Sequence, residues 1–357
     1  MQGIYIGSTT PRAGKSLLVF ALGVMLQRSG FNVGYMKPLG LYPQKVEERL
    51  GDADALVAQE ILGQNAEADV VTPVMIPKSL HELSLYTHAD PGLCMHRIKA
   101  AYAQLSANRD CMLVAGTAAF PSTGKFCGAD GMSITSELNL KTILVERFNQ
   151  NSFNYDAVLS MRQELGDRLV GVILNDIPET EVRGVTEVLK PYLEARGIPV
   201  YGVIPREPGL NALRVAELAR GLNGRIVAGN AHSSRMVEGF LIGTMQVENF
   251  MSRLRALRGF AVVAGGDRSD LHLAALHGQC PCLVLTGNMN PSELVRSKAE
   301  ELSVPVITVM DDTYSVAKQM TDILTGKKLR DLHHIRLGIK VIQDSLQFEE
   351  LKRALFG

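Results

Sequence analysis

The stretch Gly7-Ser8-Thr9-Thr10-Pro11-Arg12-Ala13-Gly14-Lys15-Ser16 lies between a short strand-like run, Gly3–Gly7, and a helical one, Lys15–Arg28. Small residues passing from a strand straight into a helix gather backbone N–H groups and a helix N-terminus around one point, which is how such loops cradle an anion. A strand, loop and helix in succession also need a parallel strand to return to, so this opening commits the chain to an α/β sheet. The strict pattern G-x-x-x-x-G-K-[ST] asks for glycine at position 9; the chain has Thr9 there, and Gly7 stands two residues earlier. Lys15 is expected to reach the β- and γ-phosphates of a nucleotide, ATP or GTP, and the Ser16 hydroxyl to sit on Mg2+. Thr9, Thr10, Arg12, Ala13 and Gly14 would line the cradle. An ordinary loop and helix cap is the alternative.

The rest of the chain fits that opening. Up to about residue 224, Val- and Ile-rich runs alternate with helical patterns, which predicts a parallel sheet with helices on both faces. Strands are expected at Gly3–Gly7, Asn32–Met36, Cys111–Ala115, Lys141–Val145, Leu169–Leu174 and Val200–Ile204. Helices are expected at Lys15–Arg28, Asp52–Leu62, Leu93–Leu105 and Glu181–Ala195. Gly221-Leu222-Asn223-Gly224 reads as a helix stop and turn, after which a second, smaller α/β set begins. Its strands are Arg225–Ala228, Gly259–Ala264, Cys282–Thr286 and Pro305–Val309, with helices at Val247–Leu257, Ser269–His277, Pro291–Leu302 and Thr313–Leu324. The division is therefore residues 1–224, 225–330 and a C-terminal helical tail over 331–357, the last helix being Ser345–Leu355.

Composition narrows the partners. With 37 basic and 37 acidic side chains the formal net charge is zero, so the basic footprint that nucleic acid requires is missing. No apolar run approaches the ~20 residues needed to cross a bilayer, and the amino terminus runs directly into a strand, which points to the cytoplasm. Five cysteines in 357 residues do not form a disulfide framework. Cys280-Pro-Cys282 reads as two thiols on one strand face without the third and fourth ligands of a zinc site.

In an open parallel sheet, groups at the carboxyl ends of neighbouring strands converge on one crevice. Lys37, in Gly34-Tyr35-Met36-Lys37-Pro38, would then face the same ligand as Lys15, and an acid from Gly51-Asp52-Ala53-Asp54 would help hold the metal. Their alternatives are a solvated lysine and a helix cap. Asn175, ending the run Val172-Ile173-Leu174, is placed to meet a base edge or to make a turn.

Together Gly7-Ser8-Thr9, Gly14-Lys15-Ser16, Gly34-Tyr35-Met36-Lys37-Pro38, Asp54, Asn175 and Ile204-Pro205 resemble the dethiobiotin synthetase-like P-loop family. The resemblance is in particular to the version that opens long bacterial phosphotransacetylases. Gly266-Asp267-Arg268-Ser269-Asp270, Leu285-Thr286-Gly287 and Asp312-Thr313-Tyr314 resemble the DRTGG domain that follows it there. The resemblance implies a P-loop NTPase-like fold, a site holding ATP or GTP with Mg2+ through Ser16 and Asp54, and a homo-oligomer.

Three departures stand against it. Asn288 replaces a second glycine after Thr286-Gly287. Leu113-Val114-Ala115-Gly116 has Ala115 where the family carries a metal-assisting Glu, unless Asp130 or Glu137 substitutes. The acetyltransferase domain of the long enzymes does not follow, so interconversion of acetyl-CoA and acetyl phosphate is not expected.

The expected function is a Mg-nucleotide-binding regulatory protein acting on an unidentified protein partner. An ATP-dependent carboxylate- or carbamate-activating ligase, of the dethiobiotin synthetase or cobyrinate diamide synthase type with Lys15 and Lys37 catalytic, is the second reading. A scaffold that binds no nucleotide is the third. In the second domain Asp267, Arg268, Thr286 and Gly287 mark a possible site for a small anionic metabolite, the alternative being an internal Asp–Arg pair. His333-His334 reads as a solvated pair.

Overall fold

The computed structural model describes residues 1–46, 49–79, 82–83, 92–149, 154–326 and 332–357, and in it the chain divides into two compact units. The first comprises Met1–Glu207 and Leu329–Gly357; the second is Pro208–Lys328. The sequence boundary near Gly224 thus lies sixteen residues inside the second unit, since 224 minus 208 is 16. The reason is packing: Val215, Leu218, Ala219 and Leu222 join the core of the second sheet.

The first unit has a six-stranded sheet of β1 (Gln2–Gly7), β2 (Val33–Met36), β3 (Cys111–Ala115), β4 (Lys141–Arg147), β5 (Leu169–Ile177) and β6 (Val200–Pro205). Its spatial order is β6-β5-β4-β1-β3-β2 and every pairing is parallel. The strands are buried on both faces, so they are continuous apolar runs rather than alternating ones. Register matters for the site. Ile6 pairs with Ala115, Gly7 with Leu144, and Arg147 with Asn175, which brings the carboxyl ends of β1, β3, β4 and β5 to one edge.

The principal helices of this unit are α1 (Lys15–Arg28), α2 (Ala53–Leu62), α3 (Leu93–Ser106), α4 (Gly131–Glu137) and α5 (Asn154–Leu165). The helix expected over Glu181–Ala195 runs from Glu179 to Glu194 but widens to a π turn at Val185–Leu189. Pro191, which has no N–H to donate, sits in the turn that follows.

The second unit has α6 (Val215–Gly221), β7 (Arg225–Ala228), β8 (Gly239–Ile242), α7 (Val247–Ala256), β9 (Phe260–Gly265), α8 (Ser269–His277), β10 (Leu283–Thr286), α9 (Glu293–Glu301), β11 (Val306–Thr308) and α10 (Thr313–Gly326). The sheet order is β7-β11-β10-β9-β8, with β7 antiparallel and the rest parallel. Alternate strand residues face opposite layers. Val262, Leu283 and Leu285 pack with Phe250, Leu271 and Val295, whereas Ala261, Val263 and Val284 pack with Leu218, Val316 and Met320. Cys280 and Cys282, expected on one strand face, fall into opposite layers, and both precede the strand that begins at Leu283.

After the second unit the chain returns to the first as two helices, α11 (Leu332–Ser345) and α12 (Phe348–Phe356), in the span expected to be a helical tail. Helix α11 packs along α1. Its interior Gly338 permits the approach, since a Cβ there would lie 2.5 Å from Leu17 Cδ2. The Gln347 amide donates to the Tyr201 carbonyl at 2.7 Å. Lys141 Nζ donates to the carbonyls of Ala354 and Leu355 at 3.0 and 2.7 Å, satisfying the C-terminal turn of α12. Among the described residues no helix is long and apolar enough to cross a membrane.

Candidate functional site

The loop between β1 and α1 is held in a conformation few residues adopt. Gly14 has φ 107°, and a Cβ there would lie 2.2 Å from Asn175 Nδ2, so glycine is required both by backbone and by space. Arg12 also has positive φ, 60°. Left-handed residues on either side of Ala13 are the kind of backbone alternation from which anion nests of successive N–H groups are built. The left-handed Arg12 costs on the order of 1 kcal/mol or more, and strain of that kind gathers at binding sites.

Lys15 is buried and its ammonium is held inside the loop. Nζ donates to Ser8 Oγ at 2.6 Å and to the Ala118 carbonyl at 2.7 Å. Ala118 itself has φ 46°, unusual for a residue with a Cβ, and that twist belongs to the turn whose carbonyl meets the lysine. Burial lowers the Lys15 pKa to about 8; Glu146 works against this and Lys37 adds to it. A desolvated ammonium whose direct partners among the described residues are neutral oxygens is a ready receptor for a phosphate.

Asn175, at the end of β5, donates from Nδ2 to the Ala13 carbonyl at 2.8 Å and so belongs to the loop's wall. On the other side of β1, Lys37 lies buried beyond the end of β2. Its Nζ meets Asp52 Oδ1 at 2.7 Å and Asp54 Oδ2 at 3.2 Å. Asp52 is the N-cap of α2, accepting from the amides of Asp54 and Ala55. It also accepts from Leu41 and Tyr42 at 2.9 Å each. Burial alone would raise its pKa, but the Lys37 charge and these hydrogen bonds outweigh that and bring it below the ordinary value. Asp52 is therefore the structural cap, and the more exposed Asp54 is the carboxylate on offer.

Ala115, at the end of β3, presents only a methyl group. Neither acid considered in its place is committed to the loop. Asp130 caps α4, accepting from the amides of Met132 and Ser133 and from the Ser133 hydroxyl. Glu137 forms an ion pair with Lys99 of α3.

One residue at the loop escaped the sequence reading. Glu146, one residue beyond the expected end of its strand, is 1% exposed. Its Oε1 accepts from the Thr9 amide and its Oε2 from the Thr9 hydroxyl, both at 2.7 Å. Burial raises its pKa to about 7, against the pull of the two Thr9 bonds and of Lys15. The available signal was an acid following the unbroken apolar run Ile143-Leu144-Val145 of a buried strand.

The second unit's marked residues also come together, because Gly265 pairs with Thr286 across β9 and β10. Thr286 Oγ1 lies 2.8 Å from Thr313 Oγ1, and the Gly287 amide donates to Asp311 at 3.0 Å. Gly287 and Asn288 have φ 81° and 55°, so Asn288 sustains the left-handed turn where a second glycine was expected. Arg268 grips Asp270, not Asp267, with two hydrogen bonds of 3.1 and 3.0 Å. Those bonds draw the exposed Asp270 down to about 2.

The first unit is thus a parallel α/β domain organised around a phosphate-type loop. A family model described as an AAA domain matches residues 2–214, and the chain belongs to that family. A model described as the DRTGG domain matches residues 217–323. Over 365 aligned residues the chain is 22% identical to the phosphate acetyltransferase of Synechocystis sp., covering 98% of this chain and 51% of that one. Over 205 residues it is 27% identical to the ATP-dependent dethiobiotin synthetase BioD of Methanococcus vannielii, covering 56% of this chain and 92% of that one. The chain spans about half the length of the phosphate acetyltransferases it matches. Among solved structures, the MinD cell division protein of Aquifex aeolicus aligns over 59% of this chain and 84% of its own, at 19% identity and a TM-score of 0.34.

Proposed function

We propose that this protein is a nucleotide-binding regulatory module whose first unit takes ATP or GTP with Mg2+ and whose DRTGG unit relays that state to a protein partner or senses a small anionic metabolite. The observation that carries it is Lys15, a buried ammonium held at the mouth of a helix by the neutral oxygens of Ser8 and Ala118, inside a loop whose shape depends on Gly14. In this reading the Lys15 ammonium engages the β- and γ-phosphates, while the amides from Thr9, Thr10, Arg12 and Ala13 to Ser16 wrap the chain of phosphates. Asn175 offers its carboxamide oxygen to a base edge. Lys37 supplies a second positive charge.

The donor set suits Mg2+. Ser16 offers a hydroxyl and Asp54 one carboxylate, and Mg2+ characteristically takes one or two carboxylates together with phosphate oxygens and water. Bound there, the ion would neutralise charge on the phosphates. Among the described residues no group of three or more His, Cys, Asp or Glu forms a cage for a metal by itself, so the metal would arrive with its nucleotide. Ala115 withholds the further carboxylate that a phosphoryl-transfer site would use, which favours binding and signalling over the ligase chemistry in which Lys15 and Lys37 would be catalytic. As a nucleotide-responsive module it would work in the cytoplasm, as a homo-oligomer.

Calorimetric titration of ATP and GTP with Mg2+ into the wild type and Lys15→Ala tests this, with phosphate release followed on the same samples. Binding by the wild type, its loss in the variant and negligible phosphate release are expected. A folded wild type that takes up neither nucleotide would overturn the reading, and rapid phosphate release would move it to the ligase class.

A further inference from the structure

The unanticipated acid at the loop has no role in the nucleotide cradle as described so far. Glu146 is carried to Thr9 by register: Gly7 pairs with Leu144 across β1 and β4, and each chain then advances two residues. Thr9 stands where the loop pattern has its first glycine, and it supplies both an amide and a hydroxyl to the two carboxylate oxygens. A glycine there would offer the amide alone. Thr9 and Glu146 therefore form one matched unit across the two strands.

The charge of that unit is poorly balanced. Among the described residues no cation touches Glu146: Lys15 acts on it through space, but its ammonium is turned to Ser8 and Ala118. The neighbouring Arg147 is committed to Asp176 of β5, at 2.6 Å. A carboxylate is thus buried within the wall of an anion-binding loop, stabilised by two neutral donors. A phosphate chain entering the loop brings further negative charge into the same low-dielectric space, where screening by water is weak.

We propose that Glu146 is a specificity-determining residue of the loop, one whose negative charge weights the site against each additional charge on the phosphate chain and so favours the diphosphate over the triphosphate. This rests on the loop's being a phosphate site. Each added charge at several ångströms from Glu146 opposes binding, whereas the positive charges of Lys15 and Lys37 favour all chains. The site's response to the γ-phosphate is accordingly set by β4, a strand that offers no donor to the ligand itself.

The test is calorimetry at about pH 8.5, above the Glu146 pKa of about 7 so that the carboxyl is ionised, of pyrophosphate, tripolyphosphate, ADP and ATP, each with saturating Mg2+, into the wild type, Glu146→Gln and Glu146→Asp. Glutamine keeps an acceptor for the Thr9 amide and removes the charge; aspartate keeps the charge and shortens the reach. Glu146→Gln is expected to tighten tripolyphosphate and ATP by about tenfold and their diphosphate counterparts by about threefold. Glu146→Asp should retain the wild-type ratio between the two. Equal gains for short and long chains, no gain, or the same ratio change in the aspartate and glutamine variants would overturn the proposal. Failure of ADP and ATP to bind while the two inorganic chains bind with the expected ratios would overturn the nucleotide reading and leave this one standing. A folded wild type and Glu146→Gln that both bind none of the four would overturn both.

Discussion

The two units each gather polar residues at the carboxyl ends of adjacent parallel strands, yet they treat charge in opposite ways. In the first, Lys15, Lys37 and Glu146 are buried, and two of the three sit among neutral partners. In the second, Arg268 and Asp270 satisfy one another with two parallel hydrogen bonds at the surface. A self-satisfied exposed pair explains itself and asks for no ligand. Buried charges that lack direct counter-ions do not, because the fold must supply their desolvation cost from packing elsewhere. The contrast favours the first loop as the proposed site and leaves the second crevice the weaker candidate.

The sharpest way to break that contrast is to remove the ammonium. Lys15→Ala should cost about a hundredfold in nucleotide affinity by calorimetry, since a hydrogen bond to a charged group is worth roughly 1.5–3 kcal/mol. A smaller loss than that of an Arg268→Ala variant would reverse the ranking of the two sites.

Next comes pH. The Glu146 pKa rises from 4.5 to about 7 on folding, so between those values the folded protein keeps a proton that the unfolded chain gives up. Stability contributed by this proton is present at low pH and lost as pH rises through about 7. Glu146→Gln cannot lose it, so the variant should gain on the wild type by roughly 3 kcal/mol between pH 4 and pH 8 in denaturant unfolding, at about 1.4 kcal/mol per pKa unit. A constant difference across that range would mean that the carboxylate is ionised without penalty.

Gly14→Ala addresses shape rather than charge. The added methyl would collide with Asn175 and require a left-handed alanine, so a loss of about 1–3 kcal/mol is expected in thermal unfolding, with nucleotide binding weakened alongside. Smallest of all, Arg268→Ala should leave the melting temperature unchanged within error. A clear drop would show that the Arg268–Asp270 pair organises the second crevice after all.

How far the residues announced this arrangement varied by region. Cys111–Ala115, Lys15–Arg28 and Ser269–His277 fall where their patterns place them, because long periodic helices and all-apolar strands leave little choice. Gly239–Ile242, a parallel edge strand, was not anticipated: four half-buried residues just after the short strand Met236–Val237 carry no distinctive period. Glu146 was missed because a charged residue reads as the end of a buried strand, and only the register with β1 reveals that the strand continues into the loop's wall. Helix α11 was not delimited within the expected helical tail for a related reason. Gly338 weakens a helical pattern by roughly 1 kcal/mol relative to alanine, and its justification is Leu17, more than three hundred residues away in sequence. Residues whose reason lies in a distant partner are not legible locally.

That last contact has a bearing on how the protein comes to be made. Helix α1, which begins at the phosphate loop, is covered in part by residues 332–345, and β6 and β4 are tied to residues that follow them, at Gln347 and at Ala354 and Leu355. During synthesis the amino-terminal two hundred residues emerge long before those helices exist. The second unit, continuous from 208 to 328, can close as soon as it is clear of the ribosome. The unit that comes first in sequence is therefore completed last, and until then Leu17 and its neighbours on the loop's own helix stay open to chaperones and to misassembly.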